Sequence, residues 1–222
     1  MQRRDFSLTL GSLAVGTLAV GTLAFQPAGV FAQAAAPRAG VDYVQLGRPV
    51  PTEAPAGKVE VIEFFWYNCP HCNAFEPTLA AWVKALPKDV AFRRVPIAFR
   101  EDFAPQQRLY FALEAMGLLD KMHARVFAAI HDEKQVLTTG DAITNWVVKQ
   151  GVDKVKFTEQ FNSFSATTKA SRARQTQDAY QVEGVPALGV AGRFYTDGSM
   201  AKSMDRALSV TDYLVAQSRH MS

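Results

Sequence analysis

Cys69-Pro70-His71-Cys72 constrains this chain more than any other feature, because it places two thiols three residues apart where an apolar run gives way to an amphipathic stripe. These are the only cysteines among 222 residues. A close thiol pair with no third thiol to exchange with is suited to making and breaking its own bond. In the first turn of a helix, residues i and i+3 bring their Cβ atoms to roughly 5–6 Å. Modest tightening reaches the roughly 3.5–4.5 Å of a disulfide, so the bond can close without refolding its surroundings.

Upstream, Val59-Glu60-Val61-Ile62-Glu63-Phe64-Phe65-Trp66 is nearly unbroken in apolar, β-branched and aromatic residues, the pattern of a strand buried on both faces. Downstream, Cys72, Phe75, Leu79, Trp82, Val83 and Leu86 recur at steps of three and four, the stripe of a helix facing a core. The cysteines therefore fall at a strand-to-helix junction. The first N–H groups of a helix lack internal partners and carry the positive end of its dipole, which favours Cys69 as a thiolate. Pro70 suits the first helical position, and a protonated His71 adds a cation beside the sulfur. Each pKa unit is worth about 1.36 kcal/mol. Stabilising the thiolate stabilises the reduced state, and this makes the disulfide a better oxidant.

Two plainer readings of the motif compete. A zinc site usually takes four Cys or His ligands, but beyond His71 the chain offers only His123, His131 and His220, none paired at ligand spacing. No metal is assigned, and no cofactor beyond the Cys69–Cys72 pair. A purely structural disulfide across so short a loop removes little unfolded-chain entropy. Glu63 interrupts the apolar strand six residues before Cys69. A buried carboxylate there demands a partner or a raised pKa, and it could exchange protons with Cys72; an edge glutamate on a wetter face is the bland alternative.

Taken together, Glu63-Phe64-Phe65-Trp66-Tyr67-Asn68-Cys69-Pro70-His71-Cys72, followed by Phe75-Glu76 and later by Gly184-Val185-Pro186-Ala187, closely resembles the DsbA family of periplasmic thiol:disulfide oxidoreductases. That family is a standard case of a depressed cysteine pKa and an oxidising disulfide, so the direction argued above is shared with it rather than independent of it. The resemblance implies an α/β, thioredoxin-like fold with an inserted all-helical domain. It implies Cys69 as the nucleophile, Cys72 as the resolving thiol and Glu63 as the buried acid beneath them. It further implies a cis Val185–Pro186 peptide opposite the thiols, whose loop receives an extended client chain by strand addition. An apolar rim for clients is expected from Trp66, Tyr67, Val185 and Pro186.

Residues 1–34 read as an export signal: Arg3 and Arg4, an apolar stretch from about Leu8 to Ala24, and a small-residue site with cleavage after Ala34. Arg3-Arg4-Asp5-Phe6 partly matches a twin-arginine signal, but Ser7 departs from that pattern and the general secretory route is preferred. Either route ends where disulfides persist, and the expected location is the periplasm. Removing this segment subtracts Arg3, Arg4 and Asp5 and lowers the net charge from +3 to +2, too little for a nucleic-acid footprint.

The mature chain divides into a loose tail (35–40), a discontinuous thioredoxin-like domain (41–100 and 177–222) and the helical insertion (101–176). Val41 to Leu46 alternate as a short strand, and Val90 to Val95 complete a strand–helix–strand unit whose connection favours parallel pairing. Apolar residues then recur at helical spacing: Leu109, Leu113 and Met116; Met122, Val126 and Ile130; Ile143, Trp146 and Val147; Phe157, Phe161 and Phe164. Gly117, Gly140 and Gly151 are expected to stop these helices. His131-Asp132-Glu133-Lys134 reads as a solvated corner. After Pro186, residues 187–190 and 193–195 are expected as strands joined by a tight turn at Ala191-Gly192, and a last helix carries Ala207, Leu208, Thr211, Leu214 and Val215.

The expected activity is donation of the Cys69–Cys72 disulfide, by a monomer, to unfolded exported proteins through a mixed disulfide. A quinone-linked membrane partner of the DsbB type would reoxidise it. An isomerase or reductase on the same scaffold, or a peptide-binding chaperone with an incidental disulfide, are the rival readings.

Overall fold

The computed structural model describes residues 36–221, so the expected export signal and its cleavage site lie outside the described residues. Strand β2, Val59–Phe65, is buried along its whole length, as its two-faced apolar pattern requires. It is an interior strand, between β4 and β3, of a five-stranded sheet of order β1-β5-β4-β2-β3. On one side it pairs in parallel with β3, Val90–Pro96, across helix α1, Pro70–Lys84. On the other it meets β4, Ala187–Val190, antiparallel. The β2/β3 register sets Glu63 directly opposite Arg94.

The turn between β4 and β5, Phe194–Asp197, has positive φ at both Ala191 (52°) and Gly192 (65°), the signature of a hairpin that follows strand twist. Gly192 is required for a second reason: a Cβ there would stand 2.0 Å from the Val50 carbonyl oxygen. The N-terminal strand is shorter than its alternating pattern suggests. Only Val44–Gln45 pair, as β1 on β5.

A 3-10 turn, Glu101–Phe103, and five α-helices lie between β3 and β4: α2 (Ala104–Ala115), α3 (Leu119–His131), α4 (Gly140–Lys149), α5 (Lys154–Phe161) and α6 (Phe164–Ala179). After β5 come the short α7, Gly198–Ala201, and α8, Met204–Ser218. The stripes on α2 to α5 are buried as expected, with Leu109, Leu113, Met122, Val126, Ile143 and Phe157 all sealed from solvent. Phe164 is an exception. It is 86 % exposed, because Ser163 caps α6 through the Ala166 amide and starts a new helix axis there. Gly117 and Gly151 follow their helices with positive φ, whereas Gly140 begins α4 behind the Thr139 cap rather than ending a helix.

Two cores sandwich the sheet. Val61, Phe75, Leu79, Leu188, Val210 and Leu214 join β2 and β4 to α1 and α8. Ile62, Phe64, Leu109, Phe127, Ala173 and Tyr180 join the sheet to the helical segment. The helical segment thus shares a core with β2, and this is how it reaches the cysteines.

Candidate active site

Chain direction alone delivers the cysteines. β2 ends at Phe65, a short turn follows in which the Cys69 amide donates to the Trp66 carbonyl (3.0 Å), and α1 begins with Pro70 at its first position. Cys69 is the N-cap, extended at φ −82° and ψ 118°. Both thiols are free, the reduced form of the pair. The Cys69 Sγ lies 3.4 Å from the Val185 carbonyl oxygen, to which its thiol donates. The Val185–Pro186 peptide is cis, as the family resemblance implied. The two distant segments of the motif are therefore one site.

The two sulfurs titrate in opposite directions. A hydrogen bond from the Cys72 thiol, then the backbone amides of Cys72 and His71, and last the His71 charge outweigh burial and bring the Cys69 thiol down to about 6. The helix-mouth argument holds, but its ranking changes: the partner thiol leads and the His71 cation contributes least of these. Exposed on the surface, His71 has its charge screened by water. Cys72 is fully buried, and desolvation together with the Cys69 and Glu63 charges pushes its thiol far above the ordinary range.

Glu63 has no solvent exposure. Its Oε2 accepts from Arg94 Nε at 2.8 Å, while Oε1 has no partner within the protein. Burial pushes the carboxyl up to about 8 despite Arg94, and at neutral pH it keeps its proton. Arg94 also donates through Nη2 to both oxygens of Glu76, at 3.0 and 3.1 Å. Glu76 is pushed up by burial but held below its ordinary value by His123 and Arg94. His123, lowered by burial, is neutral and has a single N–H. That proton belongs on Nε2, 3.1 Å from ionised Glu76, so Nδ1 accepts from the Tyr67 hydroxyl at 2.9 Å. Sequence reasoning found Glu63 but missed Arg94, Glu76 and His123. The strand register could have suggested Arg94; a partner contributed by α3 has no local signal.

The remaining expected residues divide. Val185 is half-buried and Pro186 buried, and both line a cavity of about 360 Å3 with His71, Asp197, Ser203 and Met204. Trp66 is half-buried, one face stacked on Phe103 at 3.8 Å. Tyr67 does not form a rim: it is 1 % exposed, its ring in the core against Phe65 and Phe127. His131 is no solvated corner either, since its Nε2 donates to the Tyr67 carbonyl at 2.8 Å. A larger cleft of about 530 Å3, bounded by Leu46–Pro51 and the end of α6, includes no residue of this site.

Comparison with known proteins agrees with this geometry. The family described as "DSBA-like thioredoxin domain" matches residues 60–209. The chain is 44 % identical to the thiol:disulfide interchange protein DsbA of Burkholderia cepacia over 186 residues, 84 % of this chain and 88 % of that one. To the protein of the same name from Bordetella parapertussis it is 42 % identical over 191 residues, 86 % and 90 % of the two chains. The crystal structure of Pseudomonas aeruginosa DsbA superposes with a TM-score of 0.78 at 40 % identity, covering 82 % of this chain and 94 % of that one. A thiolate-favouring N-cap cysteine, a second, buried thiol and the cis-proline loop that touches the first, on a fold and sequence this similar, lead to one conclusion: the chain belongs to the DsbA family of thiol:disulfide oxidoreductases.

Proposed function

We propose that this oxidoreductase works in the periplasm as a disulfide donor to unfolded exported proteins. The observation that carries the direction is the lowered titration of Cys69, at about 6, while Cys72 stays protonated. Against an ordinary thiol of 9.0, a midpoint near 6 favours the reduced form at pH 7 by about 1.4 kcal/mol, roughly 30 mV of added oxidising power.

In the oxidised protein a client thiolate attacks the Cys69 sulfur. The Cys69–Cys72 bond breaks, Cys72 leaves as a thiolate, and a mixed disulfide joins the client to Cys69. Buried Cys72 cannot hold that charge, and Glu63 beneath it carries a proton at neutral pH to give. A second client thiolate then attacks the client sulfur, and Cys69 leaves as the stable thiolate. The client loses two electrons and the dithiol gains them. Return to the disulfide needs an acceptor of two electrons, for which a membrane quinone-linked protein of the DsbB type is the proposed partner. The protein acts as a monomer and uses no cofactor beyond its own disulfide.

The cavity beside Val185 and Pro186 is where an extended client would lie, its backbone along the Val185 loop. Among the described residues no helix is long and apolar enough to cross a membrane. Cys69→Ser tests the reading: loss of dithiol oxidation with client binding retained supports it, and unchanged oxidation overturns it. Equilibrium with glutathione tests the direction. A potential as reducing as that of a thioredoxin would instead mark a reductase.

A further inference from the structure

One helix holds one residue of the active-site turn at three points. On α3, His123, Phe127 and His131 are spaced four apart and lie on one face. His123 Nδ1 accepts from the Tyr67 hydroxyl at 2.9 Å, Phe127 meets the Tyr67 ring edge-on at 5.1 Å, and His131 Nε2 donates to the Tyr67 carbonyl at 2.8 Å. His131 is itself stacked on Phe127. We infer that α3 is a clamp on the Trp66–Cys69 turn, and that His131 is a positioning residue for the nucleophilic sulfur.

The ends of the turn are held elsewhere, Trp66 by its stacking on Phe103 and Cys69 by its carbonyl accepting from the Asn73 amide at 3.1 Å, so α3 is the grip on its middle. The turn's one internal backbone bond runs from the Cys69 amide to the Trp66 carbonyl, and the Tyr67 carbonyl is met by His131 rather than by a backbone amide. Two residues further on, Cys69 Sγ must reach the Val185 carbonyl and the partner thiol together. A rocking turn would lose those contacts, and reaction at a misplaced sulfur is slower. The clamp also gives the helical segment a task at the thiols beyond filling a core.

This inference rests on Cys69 being the attacked sulfur. In His131→Ala, kcat/KM for oxidation of a dithiol peptide should fall about three- to ten-fold, the range expected for one lost hydrogen bond. The Cys69 amide should exchange its hydrogen faster, and the Cys69 thiolate absorbance should titrate at higher pH. His131→Gln, which keeps a donor, should recover most of the loss. The clamp is overturned if His131→Ala keeps kcat/KM within about two-fold and the same titration midpoint, or if Gln loses as much as Ala. Should the Ala variant fail to fold, His131→Phe, which keeps a ring against Phe127 and removes only the donor to the Tyr67 carbonyl, carries the same expectations and the same refutation. Cys69→Ser run alongside separates the cases: an active serine variant refutes the catalytic reading, and an inactive one with unaltered His131→Ala refutes the clamp alone.

Discussion

Cys69 and Cys72 are one helical turn apart, yet their surroundings have opposite character. At the mouth, Cys69 is met by donors: a thiol, two first-turn amides and a screened cation. At the floor, Cys72 and Glu63 are sealed from solvent, and the nearest cation, Arg94, is shared between Glu63 and Glu76. The mouth stabilises negative charge and the floor excludes it. The lesson is that the two sulfurs divide the work: lowered titration at Cys69 sets the oxidising direction, while burial at Cys72 decides which of the two thiols carries the charge.

The contrast breaks most severely at Arg94. Arg94→Met leaves Glu63 and Glu76 buried without their shared cation, and chemical denaturation should show a loss of about 3–5 kcal/mol. Glu63→Gln works in the other direction. A carboxyl raised from 4.5 to about 8 holds a proton in the folded state that the unfolded chain releases between those values, so wild-type stability falls as pH rises through that window. The Gln variant should be more stable by about 2–3 kcal/mol at pH 7 and lose that slope. Unfolding curves at pH 5 and pH 8 measure both effects, and equal slopes in the two proteins would remove Glu63 as a buried acid.

At the mouth, Cys72→Ala removes the leading stabiliser of the Cys69 thiolate. The midpoint of thiolate absorbance should rise from about 6 toward the ordinary range, by about one to two pH units. Because the lowered Cys69 value favours the folded, reduced protein above pH 6 and most fully above pH 9, that variant should also lose stability progressively through this window, beyond the pH-independent cost of the space left by the buried sulfur. The smallest effect belongs to His71→Ala, about half a pH unit upward in the same titration. If His71→Ala moves the midpoint further than Cys72→Ala, the ranking of causes is wrong.

Much of the fold was legible because its signals are local. Two-faced burial marked β2, the three-and-four stripe marked α1, and Ala191-Gly192 marked the β4–β5 turn. Even Glu63 declared itself by standing in an apolar strand. Phe164 and Gly140 misled for a shared reason: periodicity runs on past a break that a capping side chain decides, at Ser163 and Thr139. Tyr67 looked like a rim residue because aromatic character next to a reactive site does not distinguish a core ring from an exposed one.

By itself the sequence determined the thiol pair, its placement at a strand-to-helix junction and the preference of the first sulfur for negative charge, all consequences of neighbours within one turn. The tertiary structure alone decided which groups face those thiols. Arg94 arrives through strand register, Val185 through a loop 116 residues away, and His123 and His131 through a helix on the far side of a shared core. Charge and hydrogen bonding depend on distances of a few ångströms, and chain spacing carries no record of such distances once the contacts are long-range.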